Sequence, residues 1–319
     1  MKELTRTSFK KTATVKKIVL AAVCTVLLLT LALLEYYLPL KTLLPAIKIP
    51  PLAEGEMRVH FLDVGEGDCT VIESSDGVII VDAGEGSFET ENRLIRYLKG
   101  LNARSYTMIA THADLDHFGG FAQLIRTFGA DGVYLPPLSS ETGEYQQFLS
   151  AVNESGCEVK TLMRYVVIPF GAGSYAACIS PDSSAGTDGN DRSAVLFVHC
   201  GGVNFLLGAD ISSTHEERLL SEYALMEGIF DCGESRVRLE ETDILKVSHH
   251  GSDSSSDSGW LSLLRPSAAV VTCGKGNTYS HPSQGAIARL SEAGAEIYRT
   301  DELGSIVVRI RDGYYSISA

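Results

Sequence analysis

The sequence predicts an α/β protein, sheets covered by helices, preceded by one N-terminal transmembrane helix. Three observations carry the prediction. From Met57 onward, short apolar runs of strand length alternate with amphipathic stretches of helical period, and Gly and Asp turns separate them. Two halves each run from strands into helices, an order that puts helices on the outer faces of sheets. Ile18 to Leu34 is a run of 17 residues without a charge.

The amino-terminal elements follow from charge and length. Residues 1–17 form a basic segment expected in the cytoplasm, ending in Lys16 and Lys17. Residues 18–40 are the expected membrane anchor, since extension past Glu35 to Leu40 approaches the ~20 residues that a bilayer needs. Lysines before the run and Tyr36-Tyr37 after it orient the helix with its amino end inside, which leaves the following domain extracytoplasmic. The rival reading is a cleaved signal peptide and a secreted chain, against which stand the long apolar region and the lack of a clear A-x-A site. Pro45, Pro50 and Pro51 then stiffen a linker over residues 41–56.

Residues 57–319 form the globular part. Met57-Leu62, Cys69-Ile72 and Val78-Val81 read as strands, with Ser75-Asp76-Gly77 as a hairpin turn. Glu89 to Lys99 is an amphipathic helix with Leu94, Ile95 and Leu98 inward, Tyr106-Ala110 a strand, and Phe121 to Phe128 and Glu144 to Val152 helices. Strands follow at Val166-Pro169, Tyr175-Ile179, Ala194-His199 and Val203-Leu207, then a helix at Thr214 to Tyr223. Ile244-Val247 and Ala268-Thr272 are strands, Gln284 to Glu292 a helix, and Ile306-Ile310 and Tyr314-Ile317 flank a turn at Asp312-Gly313. The low-complexity tract Asp253 to Ser258 reads as a mobile loop.

Charge and cysteines bound the function. The net charge is −13, and because the first 50 residues hold eight Lys or Arg against two Glu, the remainder stands near −19. Such a domain repels nucleic acid at long range, since duplex binding draws on Lys and Arg. The seven cysteines show no C-x-x-C spacing, and Cys69, Cys178, Cys200 and Cys273 read as core strand residues.

The chemistry concentrates in Thr111-His112-Ala113-Asp114-Leu115-Asp116-His117-Phe118-Gly119-Gly120. Two imidazoles and two carboxylates within six residues at a strand's end repel one another unless something cationic sits among them, and a divalent metal pair is the economical explanation. Together with Phe61-Leu62-Asp63-Val64-Gly65-Glu66-Gly67-Asp68, Ile80-Val81-Asp82-Ala83-Gly84, Leu207-Gly208-Ala209-Asp210, Lys246-Val247-Ser248-His249-His250-Gly251-Ser252 and Tyr279-Ser280-His281-Pro282, the cluster resembles the metallo-β-lactamase fold as it occurs in the hydrolase domain of ComEC/Rec2 DNA-uptake proteins.

That resemblance implies a four-layer αββα sandwich with catalytic loops along one edge. It also implies that His112 and Asp114 serve one metal, Asp116, His117 and His250 a second, and that Asp210 bridges them. Of the two adjacent histidines, His250 is the expected ligand and His249 its support. Asp82 is expected to orient a ligand imidazole, and Asp63 and Asp68 carry a weaker claim of the same kind, with a structural turn the alternative. Many relatives have His in place of Asp114 and a further ligand His where this chain has Asn190-Asp191-Arg192-Ser193. The harder donor set moves preference from Zn2+ toward Mn2+, with Mg2+ a third candidate. Asn190 and Ser193 are candidates for binding a phosphate, or for capping the strand that follows. Asp116, Asp210 and His281 are the candidate catalytic residues, His281 as phosphoryl ligand or acid for the leaving group. His60, His199 and His215 lie in strand or helix patterns and read as structural.

The expected activity is therefore a membrane-anchored metallohydrolase that cleaves phosphodiesters through a metal-activated water, foremost a ComEC-like nuclease acting on DNA. The alternatives are an esterase acting on cell-wall or small phosphodiesters, such as phosphorylcholine on teichoic acid, and a non-catalytic scaffold.

Overall fold

A computed structural model describes residues 16–31, 45–137, 142–171, 173–182 and 189–319. The chain divides into two units, Met1–Pro45 and Ala46–Ala319. In the first unit, residues 16–31 form helix α1 with its apolar side chains exposed, Leu28 among them. Among the described residues no helix is long and apolar enough to cross a membrane; residues 1–15 of the basic segment and 32–40 of the expected anchor lie outside them.

In the second unit, apolar side chains on alternate sides give the central strands of each sheet two faces to bury. The first sheet contains β1 (Met57–Phe61), β2 (Thr70–Ser74), β3 (Gly77–Val81), β4 (Tyr106–Ile109), β5 (Gly132–Leu135) and β6 (Val159–Thr161). The second contains β7 (Val167–Phe170), β8 (Ser174–Ser180), β9 (Val195–Cys200) and β10 (Val203–Leu207). A separate hairpin, β11 (Phe230–Cys232) and β12 (Ser235–Val237), precedes β13 (Ile244–Lys246), β14 (Ala268–Val271) and β15 (Glu296–Arg299), which extend the second sheet. The last strands, β16 (Ile306–Arg311) and β17 (Tyr314–Ser318), return to the first, whose order is β17-β16-β1-β2-β3-β4-β5-β6; the second runs β15-β14-β13-β10-β9-β8-β7.

The layers are read from alternate residues of the same strands. Val59, Phe61, Ile72, Ile79 and Val81 of the first sheet meet Cys178, Leu196, Val198, Phe205 and Leu207 of the second. Their neighbours Val71, Val78, Ile80 and Met108 face outward beneath α2 (Phe88–Leu101), α4 (Phe121–Phe128) and α5 (Gly143–Ser155), through Leu94, Ile95, Leu124 and Phe148. Phe197, Leu206, Leu245 and Val271 do the same beneath α6 (Ser213–Leu225), α7 (Ser258–Leu264) and α8 (Gln284–Glu292), through Leu219, Trp260 and Leu290. Helices therefore cover both outer faces of two packed sheets.

Direction matters more than layering for the site. β3 and β4 are parallel in the first sheet, as are β10, β13 and β14 in the second. The loops that leave the carboxyl ends of these strands carry Asp82, His112 to His117, Asp210, His249 with His250, and Thr272. Ligand sites in α/β folds collect at such ends.

Several elements differ from expectation. Of the linker expected over 41–56, residues 46–56 belong to the globular unit: the Ile47 amide donates to the Arg96 carbonyl and Arg58 to the Pro50 carbonyl. The tract Asp253 to Ser258 is pinned rather than loose. Glu216 accepts from the amides of Ser256 and Asp257, Arg289 donates to the carbonyls of Asp253, Ser255 and Ser256, and Ser258 opens α7. β5, β6, β11, β12 and β15 are short strands that the pattern did not announce.

Candidate metal centre

The site is assembled from the end of β3 outward. Asp82 follows Val81 in the left-handed region, with φ at 61°. One of its oxygens accepts from the Thr111 amide at 2.8 Å, and the other accepts from the Thr111 hydroxyl and from His117 Nδ1, both at 2.8 Å. Having given its proton to Asp82, the Thr111 hydroxyl accepts from His112 Nδ1 at 3.0 Å. Across the sandwich, His250 Nδ1 donates to the Thr272 carbonyl at 2.9 Å. The network thus commits Nδ1 of all three rings to protein acceptors and leaves Nε2 of each as the free position.

The free positions of His117 and His250 converge with two carboxylates. Asp116, His117, Asp210 and His250 each offer one donor atom within 4.8 Å of the others. Asp210 Oδ2 lies 3.3 Å from His117 Nε2 and 3.4 Å from His250 Nε2, and Asp116 Oδ2 lies 3.3 Å from His250 Nε2. His112 packs against His117 with the rings tilted by 51° and 4.1 Å between centroids, and its Nε2 is 3.8 Å from Asp114 Oδ2. His112 Nε2, His117 Nε2, His250 Nε2 and Asp210 Oδ1 are buried and have no hydrogen-bond partner among the described residues. Buried polar atoms are normally satisfied, so orphaned Nε2 atoms on His117 and His250 that sit beside the carboxylates of Asp116 and Asp210 fit a cation.

Electrostatics agrees. Burial opposes charge on His117 and His250, yet Asp210 beside both holds them protonated well above the usual imidazole range. The cluster demands positive charge, and a cation supplies it to the same lone pairs. Burial and the neighbouring His117 push His112 down to about 3, leaving it a neutral ligand. A second close group, Asp68, Asp82 and His117, is already committed: Asp82 to Thr111 and His117, Asp68 to the Lys246 ammonium and the Thr272 hydroxyl.

Local backbone explains why the ligand turn is so tight. Asp114 stands extended at the start of the one-turn helix α3 (Leu115–Phe118), which swings Asp116 and His117 inward while Asp114 stays 56% exposed. A Cβ on Gly67 would lie 2.0 Å from the Asp116 carbonyl, and one on Gly119 would lie 2.4 Å from Glu85. Only glycine admits these approaches.

The other expected residues fall in three places. Ser193 is buried beside the centre, since the next amide, Ala194, donates to the Thr111 carbonyl at 2.8 Å; Asn190 opens the short turn before it. His249 is part-exposed at the rim, its Nε2 3.9 Å from Asp210, and His281 stacks on His250 at 6.2 Å. Asp63 is not in the cluster: it pairs with Arg93 at 3.1 Å and accepts from the Gly65 amide, as a turn residue does.

Sequence reasoning assigned no role to Lys246 or Glu66. Lys246, 2% exposed, holds Asp68 well below the usual carboxylate range against the opposing effect of burial. A lysine inside Ile244-Leu245-Lys246-Val247 was a readable signal, because a buried ammonium needs a partner. Glu66 accepts from the Gly274 amide through Oε2, while Oε1, unpartnered among the described residues, lies 3.9 Å from His281 Nδ1. Nothing in Gly65-Glu66-Gly67 announced it.

The sequence profile described as the metallo-beta-lactamase superfamily matches residues 62–275. The chain is 25% identical over 289 residues to ComE operon protein 3 of Bacillus subtilis, covering 84% of this chain and 35% of that one. It is 25% identical over 260 residues to Recombination protein 2 of Haemophilus influenzae, covering 81% and 29%. The chain thus spans about a third of the length of the curated relatives it matches. Among solved structures, the E377D mutant of CmlA beta-hydroxylase superposes with a TM-score of 0.51 at 12% identity, covering 82% of this chain and 55% of that one, a likeness of fold alone.

Proposed function

This chain belongs to the metallo-beta-lactamase superfamily and is one of its hydrolases, and from that premise we propose that it cuts phosphodiester bonds, foremost in DNA, with two divalent cations. The observation that carries the reading is the set of three buried histidines whose Nδ1 atoms are all spoken for and whose Nε2 atoms are unpaired, those of His117 and His250 beside Asp116 and Asp210 and that of His112 nearest Asp114. His112 and Asp114 would hold one cation, Asp116, His117 and His250 the other, with Asp210 between them. When bound, such a pair polarises water and offsets charge on the attacking and leaving oxygens of an in-line displacement. Three carboxylates among six ligands make Mn2+ a match as good as Zn2+.

The remaining residues act around that chemistry. Asp82 fixes the His117 ring through Nδ1. Lys246 keeps Asp68 ionised beneath His250, whose Nδ1 is 3.5 Å from that carboxylate. His281 takes the role of proton carrier to the leaving oxygen, supported by the Glu66 carboxylate 3.9 Å from its Nδ1. Ser193 and Asn190 bind a phosphoryl oxygen. The names of two relatives, Recombination protein 2 of Haemophilus influenzae and Competence protein ComA of Neisseria gonorrhoeae, support DNA as substrate. The acidic globular part favours a second reading, a small or cell-wall phosphodiester.

The test offers the manganese- and zinc-loaded chain single-stranded DNA, duplex DNA and bis-p-nitrophenyl phosphate. DNA cleavage that disappears in Asp116→Ala and Asp210→Ala is the expected result. Turnover of the small diester alone selects the second reading, and no turnover of any substrate removes the hydrolytic assignment. The proposal includes an anchor over residues 18–40 with the hydrolase extracytoplasmic, supported by the uncharged run 18–34. Release of the chain from membranes by alkaline carbonate overturns that part.

A further inference from the structure

The loop after β14 leaves the metal centre as a ladder of rings. His250 is stacked by His281 at 6.2 Å and 27°, and His281 is stacked in turn by Tyr279 at 5.7 Å and 19°. The ladder ends in solvent, for Tyr279 is 69% exposed.

The loop carrying it is held in place. Asn277 donates through Nδ2 to the carbonyls of Gly274 and His281, at 2.9 and 2.6 Å, and accepts through Oδ1 from the His281 amide at 2.9 Å. Ser280 between the two rings sits at φ 62°, a conformation that costs a non-glycine residue free energy and is kept only where surroundings impose it. Gly274 packs so closely on Glu66 that a Cβ there would lie 2.7 Å from Oε2. An exposed tyrosine on a tethered loop, aligned with rings that lead to the ligands, has its orientation fixed before any substrate arrives.

We infer that Tyr279 is a stacking platform for the base beside the scissile phosphate, so that the substrate of this site is a single-stranded nucleic acid. The inference rests on the phosphodiesterase reading above. One flat face suits a planar base, whose stacking on an aromatic side chain tolerates any sequence. It does not suit the rounded ammonium of a choline group, which aromatic residues recognise by surrounding it; among the described residues the only ring paired with Tyr279 is His281. Exposed Lys275 on the same loop adds a cation for the neighbouring phosphate. In a domain this acidic, stacking supplies attraction that long-range charge does not.

The experiment uses the full chain, with and without manganese, and a phosphorothioate single strand carrying 2-aminopurine, so that fluorescence reports stacking without cleavage. Wild type and Tyr279→Phe are expected to quench the probe. Tyr279→Ala loses the quench and binds about 10–100-fold more weakly, the range that one stacked base represents. A strand with an abasic position in place of the probe binds both wild type and Tyr279→Ala at that weaker level. Equal quenching and affinity in wild type and Tyr279→Ala overturn the inference, as does Tyr279→Phe behaving like Tyr279→Ala. Cleavage is scored separately: a chain that stacks the probe but cuts no diester loses the catalytic reading and keeps the platform.

Discussion

Two buried polar clusters invite comparison, the one around His117 and the one around His60. Both bury a histidine beside carboxylates. His60 is 1% exposed and both its nitrogens are occupied, Nδ1 by the Tyr97 hydroxyl at 3.0 Å and Nε2 by Glu73 at 3.2 Å, with Arg58 completing the charge balance 3.4 Å from Glu73. His117 is as deeply buried, but only its Nδ1 has a hydrogen bond. Burial alone therefore does not separate a working histidine from a supporting one; an unused lone pair aimed at other unused donors does.

The contrast is broken most severely at Asp210. Its replacement by Ala removes the carboxylate that lies 3.3 Å from His117 Nε2 and 3.4 Å from His250 Nε2, and activity should fall at least about 10³-fold, the several kcal/mol of charge stabilisation that a metal site supplies. Elemental analysis should show bound metal falling in parallel; full metal content with full activity would place the chemistry elsewhere. In Lys246→Met, Asp68 stays buried without its cation, which should cost about 3–5 kcal/mol in urea unfolding. Asp68→Leu combined with Lys246→Met should recover most of that loss, and no recovery would mean that Lys246 matters for packing rather than charge.

Smaller effects sharpen the other side. His215 is buried, hydrogen-bonded to the Ser180 hydroxyl at 2.9 Å, and pushed down to about 4, first by burial and then by Arg218. Because its folded pKa lies below the ordinary value near 6.5, the stability it contributes is present above that value and is lost as pH falls toward about 4. The loss should reach about 3 kcal/mol. Unfolding midpoints of His215→Gln should thus be less acid-sensitive than wild type between these limits, and equal slopes would remove His215 from the account. The smallest change is expected from His60→Gln, which should cost about 1–2 kcal/mol of stability and leave kcat/KM on bis-p-nitrophenyl phosphate unchanged. A drop in kcat/KM there would erase the distinction between the two clusters.

What the sequence disclosed followed the range of the interactions involved. Residues 112–117 announced a cation because the competing charges are adjacent in the chain, and strands such as Val203-Leu207 announced themselves by local pattern. Lys246 and Asp68 are separated by 178 positions, and Glu66 and Gly274 by 208, so their pairing had no local trace. The serine-rich tract at 253–258 looked loose for the same reason: Glu216 and Arg289, which pin it, come from other helices. Asp63 and Asp68 share a motif and one local pattern offered both a turn or a supporting role; only the distant partners, Arg93 for Asp63 and Lys246 for Asp68, make the first a turn residue and the second a neighbour of the centre.

The centre draws on both sheets: His112 to His117 leave β4 of the first, and Asp210 and His250 follow β10 and β13 of the second. A cation gripped from both sides is a clasp that closes only when the halves of the sandwich have docked, and its binding energy adds to the stability of that docked state. The capacity to turn over substrate is consequently a coincidence detector for assembly, silent in any chain in which one half has folded without the other.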